Sequence, residues 1–259
     1  MIIENNTPYK PICSYTISAR SKQPNVPIFS FLRKNYGFVP LAEIESIFGF
    51  VEQSTLYGGR SFRMPELSER DVRQLNNAGI GLRLPMSNHY VTREEYDANR
   101  DLLQKYHREM NSVITTNDDL AKWIRQDFPL YSLDASVIKN IHTYEQIDKA
   151  LEFYDGVVLP MYSNEDFDFL EKIKVKDKII LFANAGCALT CPSKICYPFF
   201  SKANKFDKEL MKNIGPSCSQ TLKHREQLGM VDFDLNPLME MDFFRFKLLR
   251  ARPGDMTGF

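Results

Sequence analysis

Four of the five cysteines in this sequence lie close together along the chain. They are Cys187, Cys191, Cys196 and Cys218, whereas Cys13 stands far from them near the N-terminus. Thiolates are soft ligands that select iron–sulfur clusters, zinc or monovalent copper over harder ions. In a reducing compartment, where disulfides are rare, such clustering predicts a metal centre with these four side chains as its ligands.

The spacing of the four cysteines favours an iron–sulfur cluster over zinc. Structural zinc sites usually combine two closely spaced pairs of ligands. Cys187 and Cys191 fit a first pair, but the long gap between Cys196 and Cys218 supplies no second one. The spacing of a radical S-adenosylmethionine enzyme is absent, and four thiolates would leave no iron open for that chemistry. We therefore expect a 4Fe–4S cluster with all its sites filled by the protein, with zinc as the alternative.

Three of these cysteines lie in the segment NAGCALTCPSKICYPF, directly after a predicted strand. Glycine and proline in this segment permit turns that point several sulfurs in one direction. The competing interpretation is that the cysteines are ordinary core residues, which is common for this residue type. Four of them in one loop-rich stretch favour ligation. Cys13 lies on a predicted strand, and we expect it to be a core residue that metal binding does not need.

Composition and length predict one globular domain without a membrane span. The 259 residues are 43% apolar and 25% charged, the ordinary balance of a protein with a large core. Basic and acidic residues both total 33, so no net field attracts nucleic acid or anionic lipid. The N-terminus lacks a signal-peptide pattern, and no apolar run is long enough to cross a bilayer. We expect a cytoplasmic protein.

Short apolar runs alternate with helical patterns along most of the chain, which is typical of repeated βα units. The runs number about eight, the closure number of a (β/α)8 TIM-type barrel, and we expect one such domain over residues 1–259. The predicted strands are 12–18, 47–53, 79–85, 112–116, 130–134, 156–160, 178–184 and 243–249. The predicted helices are 41–46, 69–78, 92–110, 117–123, 143–154, 164–173 and 219–229.

Polar residues near the ends of the predicted strands are the candidate substrate contacts, because barrel enzymes carry their active sites at the C-terminal ends of the strands. Arg83 and His89 lie near the end of the third predicted strand, although an ordinary loop position also accounts for His89. Lys247 and Arg250 belong to the basic run FRFKLLRAR. One interpretation of this run is a solvated strand end, and the other is a pair of cations that hold an anionic substrate at the barrel mouth.

Four segments, taken in order, resemble the collagenase-like proteins of peptidase family U32. They are LYSLDASVIKNI, FYDGVVLPMYSNEDFDFLEKI, LFANAGCALTCPSKICY and FFRFKLLRAR. The resemblance covers about residues 79–252 and implies a barrel fold. Lys247 and Arg250 match the Lys and Arg of the family's late strand motif, whereas Leu248 and Leu249 replace its glutamate-containing centre.

The resemblance also implies a function. Better understood relatives are oxygen-independent hydroxylases that act on ubiquinone precursors or on RNA bases, and several carry a 4Fe–4S cluster bound by four cysteines. By this likeness the four clustered cysteines are the ligands, and the substrate is a small molecule or is linked to nucleic acid. Several relatives work as heterodimers, which implies a protein partner or the role of a non-catalytic subunit. Peptide hydrolysis is disfavoured, because the sequence contains neither a nucleophile–base pair nor a metalloprotease helix.

Overall fold

Eight parallel strands close into a barrel in the computed structural model, which describes residues 13–191, 193–212, 214–218 and 231–249. Going round the barrel, the order is β1, β2, β3, β4, β5, β6, β7 and β10, which pairs back with β1. The predicted (β/α)8 fold is therefore confirmed. The barrel strands are β1 (Ser14–Ser18), β2 (Ile44–Phe48), β3 (Gly81–Leu84), β4 (Ser112–Thr115), β5 (Ser132–Ala135), β6 (Gly156–Val158), β7 (Ile179–Phe182) and β10 (Arg245–Leu248).

Helices follow the strands on the outside of the barrel. Three of them begin with a capping box, in which Ser68, Thr92 or Thr143 and the residue three positions later satisfy each other's backbone N–H groups. The helices are α1 (Ile28–Tyr36), α2 (Glu69–Asn77), α3 (Arg93–Ala98), α4 (Arg100–Lys105), α5 (Asp118–Asp127), α6 (Tyr144–Leu151), α7 (Phe167–Glu171), α8 (Cys196–Ala203), α9 (Lys208–Lys212) and α10 (Asn236–Glu240). None of the helices in the described ranges is long and apolar enough to cross a membrane.

Two predicted helices differ from the structure, and a third cannot be compared. The helix predicted over 41–46 is a single 3-10 turn at Leu41–Glu43, and β2 already begins at Ile44, earlier than predicted. The helix predicted over 92–110 is broken at Asn99, whose side-chain oxygen accepts a hydrogen bond from Ser54 Oγ at 2.7 Å. The helix thus ends at a residue whose side chain is hydrogen-bonded to a neighbouring loop, although the local sequence favours a longer helix. The helix predicted over 219–229 lies outside the described residues.

Apolar residues form two separate cores. The larger one fills the space between the strands and the surrounding helices, and it includes Cys13. The smaller one lies inside the barrel towards the C-terminal ends of the strands, where Ile114, Val158, Ile180 and Phe182 meet. Opposite faces of the same strands supply the two cores, because successive side chains on a strand point to opposite sides.

Charged side chains occupy the N-terminal part of the barrel interior, which we call the lumen floor and define by Arg83, Asp134, Glu45 and Arg245. Arg83 reaches from β3 to Asp134 on β5 at 2.9 Å, and Arg245 pairs with Glu45 at 3.0 Å. Strands β3 and β5 are not neighbours, so the first ion pair crosses the interior. A Cβ on Gly156 would lie 2.3 Å from Asp134 Oδ1, so only glycine leaves room for this carboxylate.

Candidate functional site

A cavity of about 170 Å³ opens at the C-terminal ends of the barrel strands, and we call it the mouth cavity. Its walls are largely apolar, with Phe48, Ile114 and Phe182 among them. The charged residues that line it are Arg20, Arg60 and Lys247, and all three are cations; none of the described carboxylates lines the cavity. An apolar pocket with a few convergent polar groups is the usual form of a small-molecule site. The charge of this one favours an anionic ligand.

Lys247 is the most deeply enclosed of these cations. It is 7% exposed, and its Nζ lies 4.5 Å from the ring centroid of Phe48 and 5.9 Å from that of Phe182. Within the described ranges, Nζ makes no hydrogen bond and no ion pair. Burial and the nearby charge of Arg83 lower the pKa of Lys247 to about 7, although the negative charge of Asp134 opposes the shift. The side chain can therefore exist as a neutral amine near neutral pH.

Arg60 is held at the edge of the mouth cavity by contacts on two sides. Its guanidinium forms an ion pair with both oxygens of Glu66 and stacks over the ring of Phe50, 3.9 Å from the centroid. The preceding glycines are required by geometry. A Cβ on Gly58 would meet the backbone oxygen of Ser87 at 2.2 Å, and Gly59 has φ of +76°. The segment 57–60 forms part of the cavity wall through Gly58, Gly59 and Arg60.

The cysteine segment begins just beyond β7. Its entry is fixed by β8 (Asn184–Ala185), which pairs antiparallel with β9 (Val231–Asp232). The backbone then turns so that Cys191 N donates to the carbonyl of Cys187 at 3.1 Å. Lys194 N donates to Cys191 Sγ at 3.4 Å.

The four clustered cysteines lie close enough to influence one another electrostatically. Burial raises the pKa of Cys196 to about 12, and the thiolate charges of Cys187, Cys191 and Cys218 contribute to the shift. All four are half-buried. Cys187 also lines the mouth cavity, so the segment borders the space that contains Lys247.

The thiols suit a thiophilic metal by donor type and by proximity. In the described ranges, however, no group of three or more His, Cys, Asp or Glu side chains is arranged closely enough to hold a metal ion. Ligation therefore requires the sulfurs to converge further. The turns of this segment and the backbone N–H donor to Cys191 are features that a thiolate-bound centre would use.

Helix α8, which begins at Cys196, is anchored to two loops of the barrel. Asn204 Nδ2 donates to the carbonyls of Tyr57 and Arg60, at 3.1 and 2.9 Å. Asn88 Nδ2 donates to the carbonyl of Ser201 at 2.7 Å. His89 Nδ1 lies 2.9 Å from Ser201 Oγ, and burial lowers the pKa of this histidine. These contacts fix the C-terminal side of the cysteine segment against the barrel.

The predicted substrate contacts lie in different places. Lys247 lines the mouth cavity, whereas Arg83 lies deeper, 1% exposed and paired with Asp134. His89 is not among the cavity-lining residues and contacts α8 instead. Arg250 lies outside the described residues.

Arg20 and Tyr197 are among the residues of the mouth cavity that sequence reasoning missed. Arg20 follows the end of β1 by two positions, so the rule that selected Arg83 and His89 would have selected it as well. Tyr197 follows Cys196 directly, but its orientation depends on how α8 packs against the barrel. Burial raises its pKa, and the charge of Cys196 adds to the effect.

Cys13 is 7% exposed and belongs to the larger core. Its Sγ contacts the thioether sulfur of Met239 at 3.2 Å, and burial raises its pKa. These surroundings are those of a small apolar core residue.

Comparison with known proteins supports the fold resemblance. Neither a family model nor a curated protein sequence matches this chain. Among solved structures, the U32 peptidase Mk0906 matches over 95% of this chain and 96% of its own, with a TM-score of 0.60 and 12% sequence identity. The likeness to the U32 barrel noted in the sequence therefore holds at the level of the fold.

Proposed function

We propose that this chain is an iron–sulfur barrel enzyme of redox or oxygen-independent hydroxylation type. The observation that carries the proposal is the electrostatic proximity of four half-buried thiols beside a cavity that Cys187 itself lines. Cys187, Cys191, Cys196 and Cys218 would hold a 4Fe–4S cluster. A bound cluster supplies one-electron transfer at a potential set by burial and by hydrogen bonds to sulfur, such as that from Lys194 N.

The substrate we infer is a small molecule or a nucleic-acid-linked group that carries negative charge near its reacting atoms. This inference is supported by a cavity whose charged lining residues, among those described, are Arg20, Arg60 and Lys247. Arg83, His89 and Arg250 remain proposed contacts from the sequence. Of these, Arg83 would act from beneath the cavity through its charge, since its guanidinium is engaged by Asp134.

Two alternatives follow from the sequence. The short separation of Cys187 and Cys191 allows zinc without favouring it, and a zinc ion would pin the segment rather than transfer electrons. A non-catalytic subunit of a complex is supported only by analogy with the heterodimeric relatives that the sequence resembles.

Metal analysis of anaerobically purified protein tests the proposal. We expect brown protein with about four irons per chain and an electron paramagnetic resonance signal after reduction. A colourless, iron-free protein with one bound zinc would overturn the iron–sulfur proposal and establish the first alternative. Full iron content without turnover, except together with a co-purifying protein, would instead indicate the subunit role.

Cys191→Ser sharpens the test, because a hard oxygen replaces thiolate poorly at iron. This variant should lose its iron and its visible absorbance. Ser193→Ala is the matched control, since it alters the same turn without removing a thiol, and it should keep both. Wild-type iron content in Cys191→Ser would show that Cys191 is not a ligand.

A further inference from the structure

Lys247 has surroundings that differ from those of an ordinary structural lysine. A buried ammonium is expensive unless a carboxylate or several hydrogen-bond acceptors compensate its charge. The Nζ of Lys247 contacts the faces of Phe48 and Phe182 and, within the described part of the chain, has neither kind of partner. The neighbouring cation Arg60 adds repulsion from across the mouth cavity.

We propose that Lys247 is a nucleophilic amine that forms an imine with the carbonyl group of a small anionic substrate in the mouth cavity. Lysines become nucleophiles when an apolar pocket removes their water and another cation lies nearby, because both effects favour the neutral amine. Lys247 satisfies both conditions, and a pKa of about 7 agrees with them. This inference goes beyond the iron–sulfur proposal, since it uses none of the cysteines.

The mouth cavity suits such a substrate in charge and in size. Two further cations, Arg20 and Arg60, line the cavity, and Arg60 is also paired with Glu66, which is not among the lining residues. An anionic group on the substrate would be stabilised beside these cations. The volume of about 170 Å³ is far above the ~10 to 15 Å³ that a cavity needs to hold one water molecule, so a compound of several heavy atoms has room there. Two residues that carry hydroxyl groups, Ser87 and Tyr197, also line the cavity.

The step balances without any redox partner. The lone pair of Nζ attacks the carbonyl carbon and forms the C–N bond, while the electron pair of the C–O double bond moves to oxygen. The two protons of the neutral amine end on that oxygen, through Nζ and hydroxyl groups of the wall. The oxygen leaves as water, and the C=N double bond remains.

Reductive trapping with pyruvate tests the proposal on the wild-type protein. Pyruvate and cyanoborohydride are added at pH 7, and the reduced adduct is located by peptide mass mapping. We expect the adduct on Lys247, formed on the order of tenfold or more faster than on an exposed lysine such as Lys172, because an ordinary lysine is almost fully protonated at this pH. Pyruvamide, the neutral counterpart of pyruvate, should label Lys247 more slowly.

Matched variants complete the experiment. Lys247→Met should abolish the fast adduct, and Lys172→Met should leave it unchanged. Labelling of Lys247 no faster than of Lys172 would overturn the assignment of a nucleophile, and equal rates with pyruvate and pyruvamide would overturn the anionic substrate class. Iron content is measured on the same samples, and the adduct on Lys247 requires no iron, so failure of the iron–sulfur proposal and failure of this one are distinguishable.

Discussion

The lumen floor and the mouth cavity both contain buried cations, but they differ in the partners that those cations have. On the floor, Arg83 lies 2.9 Å from Asp134 and donates through Nε to Ser112 Oγ at 3.0 Å. In the mouth, Lys247 faces aromatic rings and lacks any carboxylate partner among the described residues. Both cations project from strands of the same barrel. They differ in the side chains that surround them, since Arg83 has a carboxylate partner and Lys247 has aromatic rings.

This difference separates a structural charge from one that is available for chemistry. A buried ion pair is costly to break from one side, because the remaining charge then has no partner. An unpaired buried cation already carries its desolvation cost in the folded state, and removing it relieves that cost. Substitutions on the floor and in the mouth should therefore change stability in opposite directions.

Asp134→Asn should produce the largest effect, a loss of about 3 to 5 kcal/mol in the free energy of unfolding. Asp134 is fully buried, and its oxygens accept no hydrogen bond of good geometry from the described residues. The ion pair with Arg83 is thus the direct compensation for the charge of Asp134, whereas Arg83 also lies 3.6 Å from Glu45. Denaturant unfolding of wild type and variant measures the difference.

The exposed pair Arg93–Asp97 supplies the control for Asp134→Asn. Its side chains are about half exposed, at 48% and 49%, and lie 3.2 Å apart within one helix. Asp97→Asn should cost at most ~0.5 kcal/mol, because solvent screens such pairs. Equal losses in the two variants would show that the floor pair is no more important than a surface contact.

Lys247→Met should stabilise the protein, and the gain should depend on pH. The pKa of Lys247 is about 7 in the folded protein and about 10.4 in an unfolded chain. Between these values the unfolded state binds more protons, so wild-type stability rises with pH through this window. The variant lacks this titration and should be more stable by roughly 2 to 4 kcal/mol at and below pH 7, with the gap closing by about pH 10.5.

Unfolding curves of both proteins at several pH values between 6 and 10.5 check this expectation. Lys172→Met serves as the control, since Lys172 is exposed and its removal should leave the pH profile as in wild type. A variant Lys247→Met that is less stable than wild type at every pH would identify Lys247 as a member of a buried ion pair and remove the contrast between floor and mouth.

Gly156→Ala tests how tightly the floor is packed. The added Cβ would lie 2.3 Å from Asp134 Oδ1 and 3.1 Å from a guanidinium nitrogen of Arg245. Overpacking of this kind typically costs about 1 to 3 kcal/mol. The same substitution in an Asp134→Ala background should cost less, because the obstructing oxygen is gone. Equal costs in the two backgrounds would place the strain elsewhere.

The sequence predicted the barrel well because its signals are local. Alternation of apolar runs with capped helical patterns identifies βα units, and the capping residues Thr92 and Thr143 begin helices as expected. Errors arose where distant contacts decide the structure. The predicted helix is interrupted at Asn99, which accepts a hydrogen bond from Ser54, 45 positions earlier in the chain. A pattern of local propensities does not contain such a contact.

The candidate site was predicted only in part. Rules about strand ends selected Lys247, because a cation after an apolar run is visible in the sequence. They also selected Arg83, because the sequence does not show that Asp134, on the second strand along the sheet, is its ion-pair partner in the folded protein. The roles of Asn88 and Asn204 as anchors of α8 were missed for the same reason, because both depend on contacts more than a hundred residues apart.

Cys13→Ala should have the smallest effect, and it separates the thiol of the core from the four clustered thiols. Cys13 packs in the larger core against Met239, so its truncation should cost about 1 kcal/mol in the free energy of unfolding through lost packing.

The metal content of Cys13→Ala should be unchanged, because this thiol lies among apolar side chains. Cys218→Ala is the comparison variant, and we expect it to lose iron because Cys218 contributes to the charge felt by Cys196. Iron analysis of both proteins decides the matter. If Cys13→Ala loses its iron while Cys218→Ala retains it, Cys13 is the fourth ligand and the proposed set of four clustered cysteines is wrong.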